Sequence, residues 1–165
     1  MLLVVRHADA GDKRSWKGPD LLRPLSAAGH SQAEGLVVRL EDYPIERILS
    51  SPSLRCTQTV RPLAADRFLE IEPVAALGVE ASPADVLGMF WDPALRNTVL
   101  CTHGETIRGL LGRLAADGLT ATDPLDWPKG STWLLQRTWL LQRTGDRRQV
   151  LGRLLAPLEL ELAEP

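Results

Sequence analysis

Leu2 to Val5 is an unbroken apolar run, too short for a helix and suited to a strand buried on both faces of a parallel sheet. A polar loop with glycines and lysines follows, from Ala8 to about Pro24. Beyond it Ala33, Leu36, Val37 and Leu40 recur at the i, i+3, i+4, i+7 spacing of an amphipathic helix, which Ser26 is placed to cap. Glu46 to Ser50 predicts a second strand, stopped by Ser51-Pro52. Cys56, Val60, Leu63 and Ala64 mark one face of a second helix starting near Ser53, and Pro62 inside that pattern should kink or split it. Phe68 to Ile71 predicts a third strand. Pro83 suits the first turn of a short helix running through Trp91. Thr98 to Thr102 predicts a fourth strand, and Ile107, Leu110, Leu111 and Leu114 line a helix that Gly118 ends. Strand and helix alternate, which argues for an α/β sheet with helices on both sides.

The last third departs from this rhythm. Thr132 to Arg137 is repeated letter for letter as Thr138 to Arg143. A period of six is too short for a solenoid repeat and reads as a local tandem duplication. Six is even, so a strand carrying both copies keeps every side chain on its own face. The surplus copy then lengthens a strand, or forms a bulge or loop. Thr144-Gly145-Asp146 predicts a turn, Val150 to Leu155 a returning strand, and the acidic residues Glu159 to Pro165 a frayed tail.

Composition narrows the classes of function. A chain of 165 residues suits one domain, 1–165, and no stretch reads as a linker between two. Nineteen basic against 21 acidic residues leave no electrostatic footprint for a nucleic acid. No apolar stretch approaches a membrane span, and the run at Leu2 is too short for a signal-peptide core. Cys56 and Cys101 stand far apart in no CxxC pattern, which points to reduced buried thiols and a cytoplasmic setting. Cys101, His103 and Glu105 alternate, but the further ligands of a metal site are missing, so neither metal nor cofactor is expected.

The candidate chemistry lies at strand ends. Arg6-His7 follows the first strand, His103-Gly104 follows the fourth, and Arg55 falls in the first turn of the helix after the second. In open α/β sheets ligands collect at the carboxyl ends of the strands. Two arginines and two histidines are therefore expected on one rim, where helix N-termini near Arg55 and Thr106 add backbone donors. The donor count suits a phosphate. His30 pairs with nothing in sequence and reads as a surface histidine. Trp16, Lys17 and their neighbours Lys13 and Arg14 lie in the loop expected to cover the rim; these cations, with Lys129, are either a solvated face or selectors of an anionic substrate.

At this point the chain resembles a known family. Val4-Val5-Arg6-His7-Ala8 is similar to the RHG signature of the histidine phosphatase (phosphoglycerate mutase-like) superfamily, in an RHA form. Arg23-Pro24-Leu25-Ser26 with Gly29 and Gln32-Ala33 resembles the opening of that family's first helix. Ser50-Ser51-Pro52 with Leu54-Arg55-Cys56-Thr57-Gln58-Thr59 resembles its second-arginine motif, and Val99 to Gly104 its second-histidine motif. The length resembles the short phosphohistidine phosphatases. The segments Lys13 to Gly18 and Pro128 to Trp133 are closer to the phosphatase half found beside a Nudix domain in larger proteins. The duplicated hexapeptide departs from the family pattern.

The resemblance implies a three-layer α/β/α sandwich with a largely parallel central sheet. It implies a metal-independent hydrolase that passes a phosphoryl group through a phosphohistidine on His7, with Arg6, Arg55, His103 and Gly104 binding the substrate. Glu80, between the two later motifs, is the candidate general acid, and Glu105 is its rival. Implied substrates are a phosphohistidine on a protein, a small phosphomonoester or a nucleotide; an implied partner is a separate Nudix hydrolase. A mutase of the same superfamily and a non-catalytic phosphate-binding module are the alternatives. Mutases carry longer cap segments not evident here, and a binding module would show a substituted nucleophile, whereas His7 is intact.

Overall fold

The computed structural model describes residues 1–142 and 145–158. Its centre is β1 (Leu2–Arg6), whose residues Leu2 to Val5 are all buried. The chain continues through α1 (Ala27–Arg39), β2 (Arg47–Ser50), α2 (Leu54–Arg67), β3 (Ile71–Pro73), α3 (Pro83–Trp91), β4 (Thr98–Thr102), α4 (Gly104–Ala116), β5 (Thr120–Ala121), β6 (Thr132–Gln142) and β7 (Gly145–Leu155). These strands form one sheet in the order β3-β2-β4-β1-β6-β7-β5. All the pairings are parallel except those that β6 makes with β1 and β7.

Alternation along the central strands sets the layers. Leu2, Val4 and Leu100 face Val86 and Phe90 of α3 and Ile107, Leu110 and Leu111 of α4. Leu3, Val5, Val99 and Cys101 face the other way, onto Leu36 and Leu40 in and after α1 and onto Cys56, Val60 and Leu63 of α2. The result is the expected three-layer α/β/α sandwich with a largely parallel sheet. Local chemistry supports the helix starts: the Ser26 hydroxyl accepts the Gly29 N–H at 3.1 Å, and Pro83 opens α3. Among the described residues no helix is long and apolar enough to cross a membrane.

Three expectations change. First, α2 is one helix through Pro62. Val60, Leu63 and Ala64 are buried along it, and that burial against the sheet outweighs a proline penalty of about 3 kcal/mol. Second, the third strand lies at Ile71–Pro73, because α2 runs on to Arg67 and Phe68 takes a left-handed C-cap, φ 55°, with its ring almost wholly in solvent. Third, the returning strand starts at Gly145, so Gly145 and Asp146 belong to β7; Thr144 lies outside the described residues, as does the tail from Glu159. The duplicated hexapeptide lengthens β6: Thr132 to Leu135 pair with β1, and the same strand runs on into the second copy as far as Gln142 without a break in its register to β7; Arg143 lies outside the described residues.

Candidate active site

Parallel pairing of β1 with β4, with Arg6 opposite Thr102, delivers His7 and His103 side by side at the carboxyl end of the sheet. Their rings meet edge to face with centroids 5.3 Å apart. Arg55, from the first turn of α2, completes the group, and Arg6, His7, Arg55 and His103 line one pocket of about 220 Å3. The expected rim is therefore assembled. His30 is exposed and Cys101 is buried in the core. No cluster of three or more His, Cys, Asp or Glu side chains able to hold a metal ion occurs among the described residues.

His7 is 7% exposed, and its Nδ1–H donates to the Ala8 carbonyl at 2.8 Å. A carbonyl only accepts, so this bond fixes the tautomer and leaves the lone pair on Nε2. Burial pushes the ring's pKa down to about 3, helped by His103, Arg55 and Arg6 and opposed by the Ala8 bond. The imidazole is neutral at physiological pH, the form a nucleophile needs.

That shift has a consequence for stability. Folded His7 takes a proton far less readily than the unfolded chain, where the ordinary value is 6.5. Its stabilising preference is complete above pH 6.5 and is lost as pH falls from there toward 3, at up to about 1.4 kcal/mol per pH unit. A His7→Asn variant lacks this titration. Its melting temperature should gain on the wild type as pH is lowered from 7.5 to 4.5; a difference independent of pH would refute the assignment.

Both arginines present unused donors. The Arg6 Nη1 donates to the Trp127 carbonyl at 2.7 Å, and the Arg55 Nη1 to the Asp20 carbonyl at 2.7 Å. The Nε of each is buried with no hydrogen-bond partner, although Arg55 is only 2% exposed. Buried orphan donors of this kind are rare unless something binds them. Gly104 permits the arrangement: a Cβ there would lie 3.0 Å from the Cζ and Nε of Arg6.

Asp20, Ser51 and Thr59 contribute to the site in roles that the sequence does not mark. Asp20, in a short 3-10 turn (Asp20–Leu22), accepts from the Arg55 Nη2 at 3.2 Å and the Arg23 Nε at 3.0 Å, with the Lys13 Nζ at 3.7 Å. Burial alone would raise its carboxyl, but Arg23, Arg55 and Lys13 hold it below the usual value. Asp20 thus places a carboxylate where an anionic ligand would approach Arg55. Ser51, inside the quoted motif, has its Oγ 2.9 Å from the His103 Nε2 and donates to the Ser53 Oγ at 3.2 Å. The His103 Nε2–H is then the donor to Ser51, and Nδ1 faces the Arg55 Nη2 at 3.4 Å. Thr59 accepts the Ala8 N–H at 2.9 Å and so ties the turn after His7 to α2.

Lys129 pairs with Asp9 across the loop, and that contact with the Ser26 hydroxyl holds the Asp9 carboxyl well below the usual range. Lys13 and Lys129 line the pocket, whereas Trp16 lines a smaller hollow beside it. Glu105 lines the His7 pocket; Glu80 lies across the rim in an adjoining hollow that shares Asp20 and Val79 with it.

The model of the histidine phosphatase superfamily (branch 1) matches residues 2–89, which span β1 through most of α3 and include Arg6, His7 and Arg55. The chain belongs to this superfamily. A curated relative, the 8-oxo-(d)GTP phosphatase of Mycolicibacterium smegmatis (strain ATCC 700084 / mc(2)155), is 36% identical over 143 residues, covering 81% of this chain and 43% of the relative. The chain thus spans less than half the length of that protein. A SixA protein from Agrobacterium tumefaciens shares the fold with a TM-score of 0.66 at 24% identity, covering 94% of this chain and 97% of the other. The protein histidine phosphatase SixA complexed with tungstate does so with a TM-score of 0.60 at 21% identity, covering 96% of each chain. The native mycobacterial glucosyl-3-phosphoglycerate phosphatase Rv2419c gives a TM-score of 0.60 at 18% identity, covering 90% and 95%.

Proposed function

We propose that residues 1–165 act as one metal-independent phosphatase domain that hydrolyses a phosphomonoester or phosphoramidate through a phosphohistidine on His7. The observation that carries this reading is a neutral, tautomer-locked His7 beside two guanidinium groups whose buried Nε donors have no partner. The Nε2 lone pair attacks phosphorus, the bond to the leaving group breaks, and Glu80 supplies the proton the leaving group needs. Water then attacks the phosphohistidine, the P–N bond breaks, and His7 and phosphate are regenerated. Arg6, Arg55 and His103 bind the equatorial oxygens and offset their charge in the transition state. For His103 this means the other tautomer on substrate binding, with Nδ1–H turned to the phosphate in place of the Arg55 Nη2 contact and Nε2 accepting from the Ser51 hydroxyl.

The SixA structure of the same fold that holds tungstate, an oxyanion of phosphate shape, supports an anion in this pocket. A phosphohistidine protein, a small phosphomonoester and a nucleotide are the candidate substrates; the relative named for 8-oxo-(d)GTP favours a nucleotide, and a separate Nudix hydrolase is the proposed partner. The test is phosphate release from phosphoramidate, whose leaving group demands little of an acid, in the presence of EDTA. Turnover indifferent to the chelator is expected. Phosphate bound tightly but never released from substrate would favour a binding module, and transfer to a second acceptor a mutase.

Gly104→Ala offers a narrower check. The added methyl displaces an Arg6 guanidinium anchored on Trp127, while the core is untouched. We expect kcat/KM for phosphoramidate to fall about tenfold or more, with a melting temperature within a degree or two of the wild type. Full activity in this variant would show that Arg6 is not held where phosphate binds.

A further inference from the structure

The His7 pocket is large enough for a phosphoryl group, so the rest of a substrate must lie beyond it. Among the described residues three hollows adjoin it. Two are small, about 120 and 170 Å3, and the third measures about 580 Å3. Only the third reaches the size of an ordinary small-molecule site. It opens from the phosphate pocket across Asp20 and Val79, on the side of β3 and the start of α3.

Its chemistry is the reverse of the phosphate pocket's. Leu21, Ala75, Ala76 and Val79 give it an aliphatic wall, and Ser53 adds a hydroxyl. The ionisable side chains on its lining are Asp20, Glu80 and Asp85, all carboxyl groups, with Glu80 the proton donor proposed above. Asp20 is matched by Arg23 and Arg55, but no ion pair engages Glu80 or Asp85 among the described residues. The cations Lys13, Arg23 and Lys129 line the phosphate pocket and not this hollow. Acceptors beside an apolar wall suit a neutral or cationic group bearing N–H or O–H donors. They oppose a second phosphate.

Resting on the phosphatase reading above, we infer that this hollow is the leaving-group subsite, and that it selects monoesters and phosphoramidates of an uncharged or cationic, nucleoside-sized group against polyphosphates. For a nucleotide the favoured substrate is then the 5′-monophosphate, with the nucleoside in the hollow. A triphosphate cleaved at its terminal phosphate would have to lay a diphosphate against the Asp85 carboxylate. Asp85 is a specificity-determining residue on this account, through its charge at the entry to α3.

The experiment compares kcat/KM for guanosine 5′-monophosphate, guanosine 5′-triphosphate and phosphoramidate in the wild type, Asp85→Asn and Asp85→Lys. The wild type should prefer the monophosphate to the triphosphate by about tenfold or more. The ratio should fall several-fold in Asp85→Asn and further in Asp85→Lys, and more so at low ionic strength. Equal or better turnover of the triphosphate by the wild type would overturn the inference, and this arm needs no variant to fold. So would a ratio that neither substitution moves. Loss of turnover on every wild-type substrate, phosphoramidate included, would sink the phosphatase reading and this inference with it.

Discussion

Replacing His7 with alanine should abolish phosphate release from phosphoramidate, with a loss of at least about 10^4 in kcat, because the proposed reaction has no second route. No other imidazole can take over the attack. His103 is the nearest, but its Nε2 is engaged with Ser51 and its Nδ1 faces the Arg55 guanidinium. His30 is on the exposed surface of α1. The fold itself should survive the substitution, since the His7 side chain lines the pocket and its hydrogen bond runs to the adjacent Ala8 carbonyl. A second measurement separates covalent catalysis from general-base catalysis. Rapid acid-free quenching of the wild type with labelled substrate should trap phosphate on His7 as an acid-labile, base-stable adduct. Burial and the Ala8 carbonyl bond favour this outcome, since the Nδ1–H stays paired while Nε2 carries the phosphoryl group. An active His7→Ala protein would refute the nucleophile outright. An inactive variant with no trapped adduct in the wild type would leave His7 essential but move its role to activating water.

The features legible in the sequence were those governed by neighbours along the chain. The run Leu2 to Val5 specifies a strand buried on both faces because nothing polar interrupts it, and Ser26 and Pro83 mark helix starts through backbone chemistry that acts within one turn. Parallel strands then carry Arg6, His7 and His103 to one edge, which is why residues almost a hundred positions apart could be placed together from their positions after strands. Pro62 read as a break because its local penalty is visible and the burial of Val60 and Leu63 against the sheet is not. The third strand was displaced because nothing local foretells a phenylalanine in a left-handed cap. Asp20 is the clearest loss at the site: an aspartate in a polar loop carries no mark of the Arg55 and Arg23 guanidinium groups it will bridge, 35 and 3 positions away. Ser51 was quoted within a motif, yet its bond to His103 depends on how β2 and β4 lie side by side.

The second large effect is expected at Arg55, where charge and shape can be separated. Arg55→Ala should lower kcat/KM for phosphoramidate by about 10^2 to 10^3, the typical loss on removing one donor that meets charge forming in the transition state. Arg55→Lys restores the positive charge and should still recover little. The guanidinium spans three partners at once: its Nη1 holds the Asp20 carbonyl, its Nη2 the Asp20 carboxylate and the edge of His103, while Nε is left for the ligand. An ammonium group has no planar fork with which to do this, and would settle on the Asp20 carboxylate. Asp20 itself predicts the direction of a companion change. With its charge gone in Asp20→Asn, the Arg55 and Arg23 cations face the pocket unopposed, so inhibition by inorganic phosphate should tighten while that of the Arg55 variants weakens. Structural damage would not sort this way, because it would weaken phosphate binding in all three proteins. A lysine variant within about threefold of the wild type would show that Arg55 supplies charge alone and that its fork is immaterial.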